Sequence, residues 1–457
     1  MNHCHPLIIK IWRQKNRWFQ VFFLLLFAAT PVSANEGSRH LNILTSFPAE
    51  FYTPFVDSFE KLHPDIQIAV LNKKTTAAID EIQRGNDRHF DIFWSSSADA
   101  FDFLKAENKL RRSLHSRKTP AVSINTVSLD DPDHFFYGFA LSGVGWMWNS
   151  KYLIREKLPV PKSWQDLADP TYYGHLAMSS PSRSGTTHLI VENFLQKEGW
   201  ERGWSQLLLM SGNLATVTAR SFSVPEGVTS GRFGIGLVID FLARTEENPN
   251  IHFSYGRPIF LVPASIANVQ NGLNPTEADL FIDFILSLEG QKLLLRPEIN
   301  RLPISSQLLS ENQAKASRLL QFIEQNSFPS YNVKLSRERY QLVNQLFDKM
   351  ITYRLRERRR LWKRLIDLER HFGKESRTMA ELGASVREHL CSIPVSETQS
   401  RSPELRKLIH AVFTNASPNS AERNILESWD EFINTELAQV KALLDKAERT
   451  LSGEQQG

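Results

Sequence analysis

Apolar, strand-like segments alternate with stretches of helical spacing at the start of this chain, and that alternation limits the possible folds more than any other feature. "HLNILTSF" is an apolar run ending at Pro48, and in "EFYTPFVDSFEKLHP" Phe51, Phe55, Val56 and Phe59 recur at helical spacing. "IQIAVLN" has the alternation and β-branching of a strand, and residues 76–83 are helix-like again. "HFDIFWSSS" is a third strand ending on small residues, before a helix over 99–107. Strand and helix in alternation predict a parallel α/β sheet. Such sheets hold ligands in a crevice beyond the carboxyl ends of their strands. Here those ends are residues 45–47, 72–75 and 95–97, which makes Ser46, Thr75, Ser95, Ser96 and Ser97 candidate ligand contacts. The same hydroxyls suit the capping of the helices that follow, and both readings can hold together.

The pattern restarts at "YGFALSGVGWMWN", where Ser142 and Gly143 could meet a ligand where two lobes join, while Trp146 and Trp148 read as packing residues. Further on, "SPSRSGTTHLIVENFL" is a helix start. Ser184 or Thr186 can cap it, Gly185 permits a close turn, and Leu189, Ile190, Phe194 and Leu195 form its apolar face. A helix N-terminus attracts negative charge, so the free N–H groups at Thr186 and Thr187 could hold an anion. Arg183 could add a planar contact to phosphate or carboxylate. An ordinary capped helix with a solvent-facing arginine explains the same letters. In "ARSFSVPEGVTSGRFGIGLVID", Arg220, Glu226 and Asp240 are polar residues around strand material. Asp240 follows the apolar "IGLVI", so its carboxylate needs a donor or ligand hydroxyl, or acts as a helix cap. Chain crossovers between two α/β lobes are expected near 138–144 and 253–262.

Residues 1–34 combine Lys10, Arg13, Lys15 and Arg17 with the apolar "WFQVFFLLLFAA" and the small residues of "PVSA", the pattern of a secretory signal peptide. An uncleaved anchor is the alternative, although the apolar run is short for a full span. The net charge of +4 resides in that segment, and the rest of the chain is balanced, so charge offers no argument for a nucleic-acid partner. Cys4 lies in the same segment and leaves only Cys391, which excludes an intramolecular disulfide in the mature chain. Asp131, Asp133 and His134 in "LDDPDHFF" lack a further nearby metal ligand, and no HExxH, GxSxG or phosphate-loop motif occurs. Neither cofactor nor catalysis is expected, and binding is the better default.

From residue 331 onward the composition changes. "LSRERYQLVNQLFDKMITYRLRERRRLWKRLIDLERHF" has no proline or glycine and spaces its leucines as an amphipathic helix, and further helices are expected to the end. Residues 331–457 read as a helical appendix, dispensable for solute binding. The basic stripe over 351–372 is either a solvated face with intrahelical ion pairs or a contact for a membrane surface or acidic partner.

Taken in order over about residues 40–310, "LNILTSFP", "FDIFWSSSADAF", "FALSGVGWMWN", "SPSRSGTTH" and "VPEGVTSGRFGIGLVID" resemble the bacterial periplasmic solute-binding proteins of ABC-type transport, in their ferric-iron and phosphorylated-solute branch. The resemblance implies a type 2-like, two-lobed α/β fold with a C-terminal α-helical extension. Residues 35–140 and 255–330 would form the first lobe and 141–254 the second, closing over a small ligand in the periplasm without covalent chemistry. It implies an anion site at Ser184, Gly185, Thr186 and Thr187, opposite Ser46 and Ser95, Ser96 and Ser97. An ABC permease or a membrane sensor kinase is the implied partner. Iron-binding members use tyrosines of the second lobe, often adjacent. Here "TVTARSFSVPEG" has none, and Tyr172 and Tyr173 stand elsewhere, so a phosphorylated, phosphoglycerate-like acid is implied over ferric iron. A secreted phosphate-ester hydrolase and a helical-tail adaptor are the competing classes.

Overall fold

The computed structural model describes residues 39–113, 129–244, 248–257, 259–311, 331–373, 377–414 and 420–454. Residues 1–34, expected to be a signal peptide, lie outside them. The expected alternation forms the first lobe. Strands β1 (Arg39–Thr45), β2 (Ile66–Asn72) and β3 (Ile92–Ser95) pair in parallel. The helices Ala49–Leu62, Thr75–Gln83 and Ala98–Ala106 follow them in turn. Phe51, Phe55 and Phe59 pack with Trp94, Phe139 and Phe281 under the sheet, and each such side chain contributes about 1.5–3 kcal/mol by leaving water.

After the two-residue β4 (Leu110–Arg111), β5 (Tyr137–Asn149) runs through both lobes. Its residues 137–143 pair with β10 (Leu261–Val269), and 144–149 pair with β8 (Ile235–Ile239) and β9 (Ile251–Tyr255). Strands β6 (Leu176–Ser179) and β7 (Leu214–Thr218) complete the second sheet in parallel with β8, and the short β11 (Leu302–Pro303) joins the first. The chain returns to the first sheet between Tyr255 and Leu261. The overall strand order is β2-β1-β3-β10-β5-β8-β6-β7. Trp146 is fully buried against Trp164, as its packing role predicts.

The described part of 331–457 consists of helices: Val333–Phe347, Leu355–Phe372, Arg377–Cys391, Glu397–Ser400, Pro403–Thr414 and Ser420–Glu454, with a π-helical turn Asp348–Thr352 between the first two. They extend the two-lobed fold and pack against both lobes. Helix Val333–Phe347 packs on helix Ala98–Ala106 of the first lobe and on helix Gly185–Glu198 of the second. Leu342, Val343, Leu346, Leu361, Trp362 and Leu365 belong to one continuous core with Trp200 and Trp204. A chain lacking these helices would expose that core.

Leu361, Trp362, Leu365, Ile366 and Leu368 turn inward, so helix Leu355–Phe372 has no free apolar face for a membrane. Its ion pairs lie partly within the helix, Arg360 with Glu357 and Lys363 with Asp367, and partly with neighbouring helices. Arg364 meets Asp445 and Glu448, each at 2.7 Å, and Arg354 just before it meets Asp430 at 2.7 Å. Among the described residues no helix is long and apolar enough to cross a membrane.

Candidate functional site

The strand ends of the two lobes face each other across a cleft. The first lobe lines it with Ser46, Phe47 and Pro48 after β1, Lys74 and Thr75 after β2, and Ser95, Ser96 and Ser97 after β3. The second lobe supplies Arg183, Ser184, Gly185 and Thr186, then Arg220, Ser221 and Phe222, and finally Ile239, Phe241 and Leu242. Sequence reasoning therefore placed Ser46, Thr75, Ser95, Ser96, Ser97, Arg183, Ser184, Gly185, Thr186 and Arg220 where the structure brings them together.

The local geometry follows from the loops being short. The Ser46 and Ser95 hydroxyls share a hydrogen bond at 2.7 Å, and Thr45 Oγ1 donates to the Trp94 carbonyl at 2.7 Å, which ties the β1 and β3 ends to each other. Ser184 caps its helix by accepting from the Thr187 amide at 3.2 Å. Helices Ala49–Leu62, Thr75–Gln83, Ala98–Ala106 and Gly185–Glu198 all begin at the cleft, so their positive dipole ends converge there.

Charge reinforces that convergence. Lys74, Arg183 and Arg220 line the cleft, and among the described residues no carboxylate does. Arg220 donates to Asn72 Oδ1 across the cleft, and burial lowers its pKa. Neither the Lys74 ammonium nor the Arg183 guanidinium has a hydrogen-bond or ion-pair partner among the described residues. Behind Ser96 lies Arg301, which donates to its hydroxyl at 3.1 Å. Arg301 is buried among the rings of Phe47, Phe51, Phe139 and Phe241, and desolvation pushes its pKa down to about 9 against the opposing pull of Asp240.

Five expected residues lie off the cleft lining. Asp240 Oδ2 accepts from the Gly143 amide at 3.0 Å and the Tyr255 hydroxyl at 2.9 Å. Its carboxylate, buried at the end of β8, thus finds donors within the crossover, and Gly143 is spent on it. Ser142 is buried in β5. Thr187 turns back toward β6, its hydroxyl 2.5 Å from that of Ser179. Glu226 is exposed on helix Ser223–Thr229. At the rejected metal position, the Lys105 ammonium contacts both Asp131 and Asp133.

Lys74, Arg301 and Asp348 went unnoticed in the sequence. "NKKTT" places a cation directly before a helix start, a signal that could have singled out Lys74. Arg301 and Asp348 carry no local signal. Asp348 belongs to the π-helical turn, yet Ser180 Oγ donates to its Oδ1 at 2.7 Å and Ser182 Oγ to its Oδ2 at 2.5 Å, directly behind Arg183.

Two lobes joined by crossing strands, with a polar cleft at their strand ends, define a solute-binding protein of the periplasmic type. The chain belongs to the bacterial extracellular solute-binding protein family, whose model matches residues 87–329. Phosphoglycerate transport regulatory protein PgtC of Salmonella typhimurium is 31% identical over 409 residues, covering 88% of this chain and 96% of the relative. That match runs on into the C-terminal helices. Among solved structures, the periplasmic binding protein AfuA of Actinobacillus pleuropneumoniae superposes with a TM-score of 0.60 at 16% identity, covering 68% of this chain and 98% of AfuA. A ferric binding protein from Campylobacter jejuni gives 0.51 at 17% identity, with 66% and 99% covered. These likenesses show the shared fold, and the C-terminal helices extend beyond it. Membership makes the chain a non-catalytic periplasmic protein that binds a small solute for ABC-type transport.

Proposed function

We propose that the cleft binds a small organic phosphate that also carries a carboxylate, of the phosphoglycerate kind, and presents it to an ABC permease or a membrane sensor. The observation that carries this reading is a lining with Lys74, Arg183 and Arg220, several helix N-termini and, among the described residues, no carboxylate. The name of the PgtC relative and the fructose-6-phosphate bound to AfuA support an organophosphate. Ferric iron prefers anionic oxygen donors, and among the described residues the lining contains no Tyr, Asp or Glu. Tyr172 lies elsewhere, its hydroxyl donating to the Pro159 carbonyl at 3.2 Å. Titration calorimetry of the full mature chain with 3-phosphoglycerate, phosphoenolpyruvate, inorganic phosphate and ferric ion tests the reading. The phosphorylated acids should bind most tightly, with affinity falling as salt rises. Tight binding of ferric ion alone would overturn it.

A further inference from the structure

We infer that the C-terminal extension is a working part of the solute site, with Asp348 as the residue that positions the 180–185 loop. The inference rests on the reading of the cleft as an anion site, but its geometry is separate. Asp348 is buried, and no Lys, Arg or His pairs with it among the described residues. Its carboxylate is instead satisfied by hydroxyls: Ser180 at 2.7 Å, Ser182 at 2.5 Å and Thr352 at 2.6 Å. Hydrogen bonds to an ionised acceptor are the strong ones, and a carboxylate without a cation depends on them. The loop is wound around that anchor. The Ser182 amide donates to Ser180 Oγ at 3.2 Å, and the Arg183 amide to the Ser180 carbonyl at 3.0 Å. Arg183, the Ser184 cap and Gly185 follow immediately.

The rest of the contact fixes the direction of the two helices. Arg339 pairs with Glu192 at 2.7 Å, and the Asn344 side chain meets His188 Nδ1 at 2.8 Å. The pairs 339–192, 344–188 and 348–182 run in opposite order, so helix Val333–Phe347 lies antiparallel along the back of helix Gly185–Glu198. The extension therefore reaches the cleft where the binding helix begins, and the π-helical turn sets Asp348 there.

Two arms test this on the full mature chain. In the ligand-free protein, Asp348→Ala should speed hydrogen exchange of the 182–187 amides by about tenfold or more, leaving β1 and β3 unchanged. Ser182→Ala, which removes only a hydroxyl, should do the same more weakly. In calorimetry with 3-phosphoglycerate, Asp348→Ala should weaken binding by about tenfold in the wild-type background and clearly less in the Arg183→Gln background, because Asp348 acts through that loop. Exchange at 182–187 that does not change in either variant would overturn the inference, as would an equal affinity loss in both backgrounds. If the unmutated chain binds neither 3-phosphoglycerate nor phosphate, the anion reading fails, and the exchange arm still decides the role of Asp348.

Discussion

Lys74 and Arg183 are the cations left to a ligand, whereas Arg220 is already committed to Asn72 across the cleft. A charge-assisted contact to an anion is worth about 1.5–3 kcal/mol, so Lys74→Gln or Arg183→Gln should each weaken 3-phosphoglycerate binding by about 10- to 100-fold. Each loss should shrink as salt rises, because the partly exposed charges are screened. Calorimetry at two ionic strengths checks this, and a salt-independent loss would mean that the side chain acts by packing. Residues such as Ser184 were legible because a cap is a local device whose donor lies three residues on. Arg301 and Asp348 were not, because their partners lie far along the chain. Arg301 meets Ser96, and Asp348 meets Ser180, through contacts that only the fold creates.

At the scale of elements, the spacing that made 331–372 helical also showed that one face had to be buried, but not against what. Helix Val333–Phe347 spends that face between the lobes, where a polar network replaces part of the apolar packing. The Tyr331 hydroxyl donates to Asp99 at 2.7 Å and that of Ser336 at 2.8 Å, and His188 Nε2 lies 3.6 Å from the same carboxylate. Glu192 and Asp102 add negative charge nearby, and Arg339 adds positive. Burial raises Asp99 to about 7 and lowers His188 to about 4. From about pH 4 to 7, the folded chain keeps a proton on Asp99 that the unfolded chain gives up, so stability falls as pH rises. From about pH 4 to 6.5, the unfolded chain holds a proton on His188 that the folded chain refuses, so stability rises with pH. The two slopes oppose each other and nearly cancel. Asp99→Asn removes the first alone. The variant should gain up to about 1.4 kcal/mol per pH unit between about pH 4 and 6.5, relative to the parent. Chemical denaturation at pH 4.5 and 6.5 measures it, and parallel pH profiles for variant and parent would contradict the assignment.

At the scale of the whole molecule, β5 makes one strand common to both lobes, and the cleft opposite it is where they meet. The approach is close. The Gly185 amide donates to Thr75 Oγ1 at 3.3 Å, and a Cβ on Gly185 would stand 2.2 Å from the Ser97 Cβ and 2.8 Å from its Cα. A methyl group there cannot be absorbed by a side-chain rotation, so the second lobe would have to back away from the first. The cost falls on the contact between the lobes, which helix Val333–Phe347 also bridges. Gly185→Ala should therefore lower the melting temperature and lose about tenfold or more in 3-phosphoglycerate affinity. It should also lose the ligand-induced compaction that small-angle scattering reads. Adding Ser97→Gly to the same chain removes the Cβ in the way and should recover part of both. Wild-type affinity and compaction in Gly185→Ala would show that solute is held without this contact, and the glycine would then be no more than a permissive helix start.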